Sequence, residues 1–249
     1  MQVLSLWRYP VKSMQGESCD ALDFDSNGVR GDRSFGVLDL ESGTVISAKR
    51  EGRLLEAEAS LKSGGLTVKL PGAQELDPGE VLDENLTRWL GRPVRVVQAA
   101  NFETPIFERS EDFERDDSKL VRWEGRRGSF VDRSSLHVMT TGDMDLLTLE
   151  RPELQWDVRR FRPNVLVEAQ FSLVDTSTTG RFRVGEVEIE IQKGCVRCVM
   201  TTRAQPGNLE RQLDILRHIS SAHDSIVGER AAVLRAGTVR VGDVVSVAP

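Results

Sequence analysis

The chain has 249 residues, 39% hydrophobic and 29% charged, with 33 Lys and Arg against 39 Asp and Glu. Such a chain can bury the core of one large or two modest domains and is not disordered. A net charge of −6 supplies no general field for nucleic acid or an anionic membrane, so any anion site must be local. No apolar run reaches 18 residues, and the stretch from Met1 to Arg8 lacks a basic region followed by an apolar one. Neither a membrane span nor a signal peptide is predicted. Three cysteines cannot complete a disulfide framework or ligate a common iron–sulfur cluster alone, and a cytoplasmic protein is the expectation.

Short strands broken by turn residues come first. Residues 3–8 lead to Pro10-Val11-Lys12-Ser13, and residues 21–24 and 29–33 flank an Asn27-Gly28 turn. Strands are predicted at 34–38, 44–47, 57–61 and 66–70, with turns at Glu41-Ser42-Gly43 and Ser63-Gly64-Gly65. This spacing predicts an antiparallel barrel or sandwich. One helix interrupts it: Leu82, Leu86, Trp89 and Leu90 recur at helical spacing, and Gly91 with Pro93 end the run. Residues 101–128 turn polar, with Glu111, Asp112, Glu114, Asp116 and Asp117 crowded together. No alternation places these carboxylates on one face, so a solvated linker is expected rather than a metal site. The domain boundary is placed here, giving units of 1–105 and 106–249.

The second half opens with a strand at 136–139. A short helix follows, capped by Thr141, with Met144, Leu147 and Leu149 apolar and Pro152 just beyond it. Arg159-Arg160-Phe161-Arg162-Pro163-Asn164 then runs into a strand at 165–167. Residues 183–189 and 240–247 each place a Gly-acid turn between alternating apolar residues, which predicts two hairpins of one barrel. Between them, Leu209, Leu213, Leu216 and Ile219 form the buried stripe of one amphipathic helix over 208–221. The expected fold class is mainly β with a few helices (α+β), in a two-part β-barrel architecture.

Chemistry concentrates in Lys193-Gly194-Cys195-Val196-Arg197-Cys198-Val199-Met200-Thr201-Thr202. Cys-x-x-Cys admits half a zinc site, a redox dithiol, or two thiols with unrelated roles. If 195–202 are extended, Cys195 and Cys198 point to opposite faces, which opposes a shared zinc or an internal disulfide. His218 and His223 follow as His-x4-His, but the intervening segment is longer than a zinc finger's and carries Leu209, Leu213 and Leu216. No βαβ pattern surrounds a redox dithiol. The plain reading of such a cysteine is a buried small hydrophobe, and His137 is read as a core histidine. Arg33, Arg133, Arg159, Arg160 and Arg162 sit beside turns and strand starts. They make either surface ion pairs or an anion site at the barrel mouths.

Five motifs come in one order: Tyr9-Pro10-Val11-Lys12-Ser13, Gly31-Asp32-Arg33, Phe161-Arg162-Pro163-Asn164, Cys195-Val196-Arg197-Cys198-Val199-Met200-Thr201-Thr202, and Gly237-Thr238-Val239-Arg240-Val241-Gly242-Asp243. On them the chain resembles the molybdenum-cofactor sulfurase C-terminal (MOSC) domain proteins that carry an N-terminal barrel partner. Among these it is most similar to the mitochondrial amidoxime-reducing component and YcbX family. The resemblance spans nearly the whole chain. It implies a MOSC_N barrel at 1–105, a MOSC barrel at 106–249, and a molybdenum cofactor (molybdopterin with mononuclear molybdenum); nothing indicates pyridoxal phosphate.

By that resemblance Cys198 is the catalytic residue and the metal ligand, a thiolate suiting a transition metal. Lys12, Ser13 and Arg33 would hold the cofactor's phosphate and pterin, and Arg162 and Asn164 would contact the pterin. Asp132 and Ser134 match a family Asp-Thr-Ser stretch, with Arg133 replacing the threonine. Val196 and Arg197 would contact the cofactor beside the metal ligand, and Arg230 would add a late contact. The implied activity is reduction of N-hydroxylated or N-oxide-type small molecules, with electrons from a separate ferredoxin-, flavin- or cytochrome-type protein and no nucleic-acid or membrane partner. Two alternatives stay open: a sulfur carrier using a Cys198 persulfide, and a non-enzymatic pterin- or metal-binding protein. One departure stands out: Thr202 leads to Arg203-Ala204-Gln205-Pro206, where relatives continue with Asp-Pro.

Overall fold

The computed structural model describes residues 1–112, 115, 117–173 and 180–248. Glu114 and Asp116 of the acidic stretch lie outside the described residues. The strands of the first half are β1 (Gln2–Arg8), β2 (Glu17–Cys19), β3 (Ala21–Asp25), β4 (Gly28–Val29) and β5 (Phe35–Asp39). They continue with β6 (Glu58–Lys62), β7 (Gly65–Lys69) and β8 (Glu75–Leu76), then helix α1 (Glu80–Leu90) and β9 (Val94–Gln98). A hairpin of β10 (Ile106–Ser110) and β11 (Leu120–Glu124) spans the polar stretch. The second half holds β12 (Leu136–Thr140), α2 (Thr141–Glu150), β13 (Val165–Glu168), β14 (Arg181–Val184) and β15 (Val187–Val196). It ends with α3 (Leu213–Ala222), β16 (Ile226–Arg235), β17 (Gly237–Arg240) and β18 (Val245–Val247). The chain is mainly β with a few helices, as its composition of short strands and glycine turns requires.

The largest sheet runs β18-β14-β15-β16-β12-β13-β1-β2. Its pairs are antiparallel except β12 with β13, which are parallel. A parallel pair needs a crossover, and α2 supplies it. β1 therefore pairs with a strand far along the chain, Gln2 opposite Glu168, and β3 pairs with β17. Accordingly Val3, Leu6, Leu22, Phe24 and Val29 share one core with Leu136, Val165, Phe182 and Ile189. A second core gathers Val11, Met14, Val37 and Ile46 with Leu82, Leu86 and Leu90 of α1. Those three leucines lie four residues apart and are essentially inaccessible, each contributing about 1.5–3 kcal/mol by burial. Gly91 then takes a left-handed φ of 69° and donates to the Thr87 carbonyl, ending the helix as its lack of a Cβ permits.

Five expectations need correction, the first being the strand at 44–47, where only Val45 makes isolated bridges, to Leu38 and Phe107. The cap of α2 is Thr140, whose hydroxyl accepts from Asp143 N while Asp143 accepts from Thr140 N, a reciprocal box displacing Thr141 by one residue. The stripe at 208–221 is helical only from Leu213. Residues 205–210 are held otherwise, by a Gln205–Leu209 bridge and by Arg160 bonding the Glu210 carbonyl. Arg181 to Ile189 does form a hairpin, but the second Gly-acid turn does not, because β17 pairs with β3 and β18 with β14. That turn docks on β1 through Val3 N to Asp243 O and Gly242 N to Val3 O, so the chain changes sheets there. Finally, the strand carrying Cys195 stops at Val196, and Val199–Thr202 is a 3-10 turn. The alternation argument that separated the two cysteines therefore does not apply.

Candidate functional site

Residues from both halves meet around Tyr9. Its ring is flanked by two guanidinium groups, Arg33 at 4.4 Å and Arg162 at 4.1 Å from the centroid. The hydroxyl donates to the Pro163 carbonyl at 3.0 Å, and burial pushes the phenol up to about 12. Arg33 pairs with Asp32, which also accepts from Tyr9 N at 2.8 Å. Arg162 is only 8% exposed. Its Nη1 donates to the Met14 carbonyl at 2.7 Å, while Nη2 is buried without a hydrogen-bond partner. Burial, and then the charge of Arg33, lowers the Arg162 guanidinium to about 10. Ser13, Arg33 and Arg162 have φ of 70°, 47° and 56°, a left-handed conformation that side-chain-bearing residues seldom adopt.

Beside them Lys12 is buried, with Nζ 2.8 Å from the Phe130 carbonyl, 2.6 Å from Asp132 Oδ1 and over the Phe107 ring. Burial lowers this ammonium to about 8, against the pull of Asp132. Lys49 grips the other oxygen, Asp132 Oδ2, at 2.8 Å and lies over Trp123. Burial would raise the Asp132 carboxyl, but the two lysines hold it well below the usual carboxylate range. Four cations thus face two carboxylates, Asp32 and Asp132. An acidic chain has gathered a local positive excess.

The cysteine stretch borders this cluster through Phe161. Arg197 Nη1 donates to Cys195 Sγ at 3.1 Å and lies 3.3 Å from His137 Nε2, while Nη2 donates to the Phe161 carbonyl at 2.7 Å. Gly228, at φ 70°, lets the His137 ring approach: a Cβ there would lie 2.8 Å from Nε2. Burial would raise the Cys195 thiol, but His137 and then Arg197 bring it down to about 5. Cys198 is half-buried, and among the described residues its thiol has no hydrogen-bond partner. Its carbonyl accepts from Thr201 N at 3.1 Å and Oγ1 at 3.0 Å, which fixes the turn that presents it.

Two arginines brace that turn. Arg160, fully buried, donates to the carbonyls of Gln155, Thr201, Arg203 and Glu210. Arg203 reaches across to Ala48 O at 3.0 Å and Lys49 O at 2.6 Å, and Ala48 N donates to Ser13 Oγ at 2.9 Å. The departure from Asp-Pro after Thr202 is therefore a clamp between the segment of Cys198 and the segment of Lys49.

The structure brings together Lys12, Ser13, Arg33, Asp132 and Arg162, with Arg197 next to them through Phe161. Cys198 lies on the turn that Thr201 closes, and no contact joins its thiol to these cations among the described residues. Asn164 lies beneath the cluster with both amide ends tied to backbone, accepting from His137 N at 3.2 Å and donating to Trp7 O at 3.2 Å. Ser134 bonds the Leu136 and Ala231 carbonyls, and Arg230 bonds Gly194 O. Both staple strands, and among the described residues neither shares a hydrogen bond or ion pair with Lys12, Arg33, Lys49 or Arg162. Val196 stands 58% exposed at the end of β15. Sequence reasoning missed Lys49, quoted Asp32 only as part of a motif and gave Tyr9 no role of its own. His137, read as a core histidine, is buried, and the contact of its Nε2 and of Cys195 Sγ with Arg197 was not foreseen. Tyr9 carried a signal, as the chain's one tyrosine and the opening of the first motif, and Asp32 stood inside the second; Lys49 carried none. Cys195 is expected to alkylate about tenfold faster than Cys19 at pH 6, its larger thiolate fraction outweighing its weaker nucleophilicity. Mass mapping after an iodoacetamide pulse checks this, and His137→Ala should slow Cys195 alone.

Residues 125–246 match the family described as MOSC domain, and residues 1–88 the one described as MOSC N-terminal beta barrel domain. The chain belongs to the MOSC family. Its curated relatives include mitochondrial amidoxime reducing component 2 of Macaca fascicularis, 27% identical over 97% of this chain and 82% of the relative. The Homo sapiens protein of the same name is 26% identical over the same shares. Among solved structures, the YuaD protein from Bacillus subtilis aligns over 98% of this MOSC chain and 93% of its own, at 14% identity and a TM-score of 0.47. Among the described residues no helix is long and apolar enough to cross a membrane.

Proposed function

We propose that this MOSC protein is a molybdenum-cofactor-dependent reductase of N-hydroxylated or N-oxide-type small molecules, supplied with electrons by a separate ferredoxin-, flavin- or cytochrome-type protein. The observation that carries this reading is the buried cation excess around Tyr9, with Arg162 Nη2 left without a partner. Unpaired buried charge is costly, and a phosphate-bearing anion is the group that would relieve it. The residues fit such a cofactor. Arg33, Arg162 and Lys12 would bind its phosphate and pterin, with Ser13 and Lys49 shaping the same wall. Asp132 would act by holding the two lysines, Asn164 by fixing the backbone beneath, and Cys198 would offer its thiolate to the metal. Arg197, Val196, Ser134 and Arg230 would support these groups from the strands of the second half.

When bound, the cofactor supplies the two-electron chemistry and the metal centre; the chain's own residues bind and orient it. The relatives' names, which specify amidoxime reduction, support the substrate class. We further propose a cytoplasmic location and folding units of 1–105 and 106–249, with β1 and β3 completing the second. The test is metal analysis of freshly purified protein, coupled to conversion of an aryl amidoxime to its amidine with a reduced viologen as donor. About one molybdenum per chain with amidine formation is expected; protein without molybdenum, or loaded protein without turnover, defeats the reading.

Sulfur handling has one observation in its favour, the Cys195 sulfur bonded by Arg197 beside His137, charges that favour its thiolate. On that reading Cys195, rather than Cys198, would take sulfane sulfur from a persulfide donor. Cyanide-releasable sulfur lost in Cys195→Ser would establish it.

A further inference from the structure

The His-x4-His pair, which the cysteines do not use, has a different partner. Glu150 is the last residue of α2, His218 lies within α3, and His223 follows its end. Both imidazoles converge on one carboxylate oxygen: His218 Nε2 is 2.8 Å and His223 Nε2 2.7 Å from Glu150 Oε2. The three ligand atoms all lie within 4.8 Å of one another. We propose that Glu150, His218 and His223 form a site for a divalent transition-metal ion of the zinc class, separate from the cysteine stretch.

Three features support it. The donor set is right: two imidazole nitrogens and one carboxylate oxygen suit zinc, cobalt(II) or nickel, and are too few and too nitrogen-rich for magnesium or calcium. The spacing is close to right as well. Metal bonds of about 2.0–2.1 Å at tetrahedral angles set ligand atoms about 3.4 Å apart, so each ring need withdraw from Oε2 by only about half an ångström. Each ring would carry its remaining proton on Nδ1, leaving Nε2 as the donor to the metal.

The position is also favourable. α2 and α3 both end here, and the carbonyl ends of helices favour a cation. The side chains of Glu150, His218 and His223 are 30%, 12% and 19% exposed, which leaves the fourth coordination position to solvent. His218 is packed against Trp156, itself stacked on Phe161. The ion would thus pin together the two helices whose Leu147, Ile215 and Ile219 fill one core. Since α3 also packs on the turn that follows Cys198, the site would steady that turn from behind.

The test uses cobalt(II) titrated into the purified full chain, because its spectrum separates the possible ligands. Expected is one equivalent bound, with visible d–d bands and no thiolate-to-cobalt charge-transfer band. Affinity should fall at least tenfold in Glu150→Gln and in His223→Gln, each checked by far-UV circular dichroism, with His218→Gln as a substitute for any variant that fails to fold. Zinc alone should compete the cobalt out. No binding below about 100 μM, a thiolate band, or unchanged affinity in folded variants would overturn the proposal. Molybdenum content is a separate readout, so the fate of the reductase reading leaves this result untouched.

Discussion

Cys198→Ser is expected to remove most of the molybdenum and to lower amidoxime reduction at least about 100-fold, a larger loss than outer-shell changes cause. The fold should hardly notice. Cys198 is half-buried and its turn is held by backbone and Thr201, not by its thiol. Such a change costs within about 0.5 kcal/mol, or no more than about 2 °C in unfolding temperature. Cys195→Ser should keep the metal, because that sulfur is already engaged by Arg197. Metal content, turnover and unfolding temperature measured on both variants decide the matter, and equal metal loss in the two would remove Cys198 from its assigned place.

The second large effect has opposite signs in two assays. Arg162→Met keeps the bulk against Tyr9 but deletes a buried cation that repels Arg33 and has one nitrogen without a partner. Replacing buried charge by apolar bulk is commonly neutral or stabilising by about 1–4 kcal/mol. The cofactor-free variant should therefore unfold a few degrees higher than its parent, at about 2–4 °C per kcal/mol for a chain of this size. Cofactor retention after gel filtration should fall about tenfold or more, because a charge-assisted bond to an anion is lost. Both results together would mean that stability at this position has been set aside for binding. A variant that unfolds lower and keeps its cofactor would show that Arg162 is a structural strut instead.

What the sequence disclosed depended on how local the cause was. The α1 leucines and Gly91 were readable because helix period and a left-handed stop are written within a dozen residues. Lys12, Arg33 and Arg162, which meet around Tyr9 and Asp132, were readable only as ordered motifs; no spacing rule joins residues 12, 33 and 162. Lys49 carried no motif and its partner Asp132 lies in a distant segment; Asp32 stood inside a motif, but nothing local says that it will also accept from Tyr9 N. His137 is buried as expected, but strand alternation cannot say that Arg197 will reach its Nε2. The turn at Gly242 misled for a related reason, since its local chemistry fits a hairpin and only docking on β1 sends the chain to another sheet.

The pairing of β1 with β13 carries a consequence for synthesis. Gln2 lies opposite Glu168, so β1 leaves the ribosome long before its partner exists. At about 5–20 residues per second that wait lasts roughly ten to thirty seconds. Throughout it Val3 and Leu6 have no core, and the strand's edge is open to pairing with the wrong chain. Lys12 likewise waits for Phe130 and Asp132, and the Met14 carbonyl for Arg162. The cation cluster is therefore absent from the nascent chain, and any anion it is to bind can be taken up only after translation has passed the last of these segments.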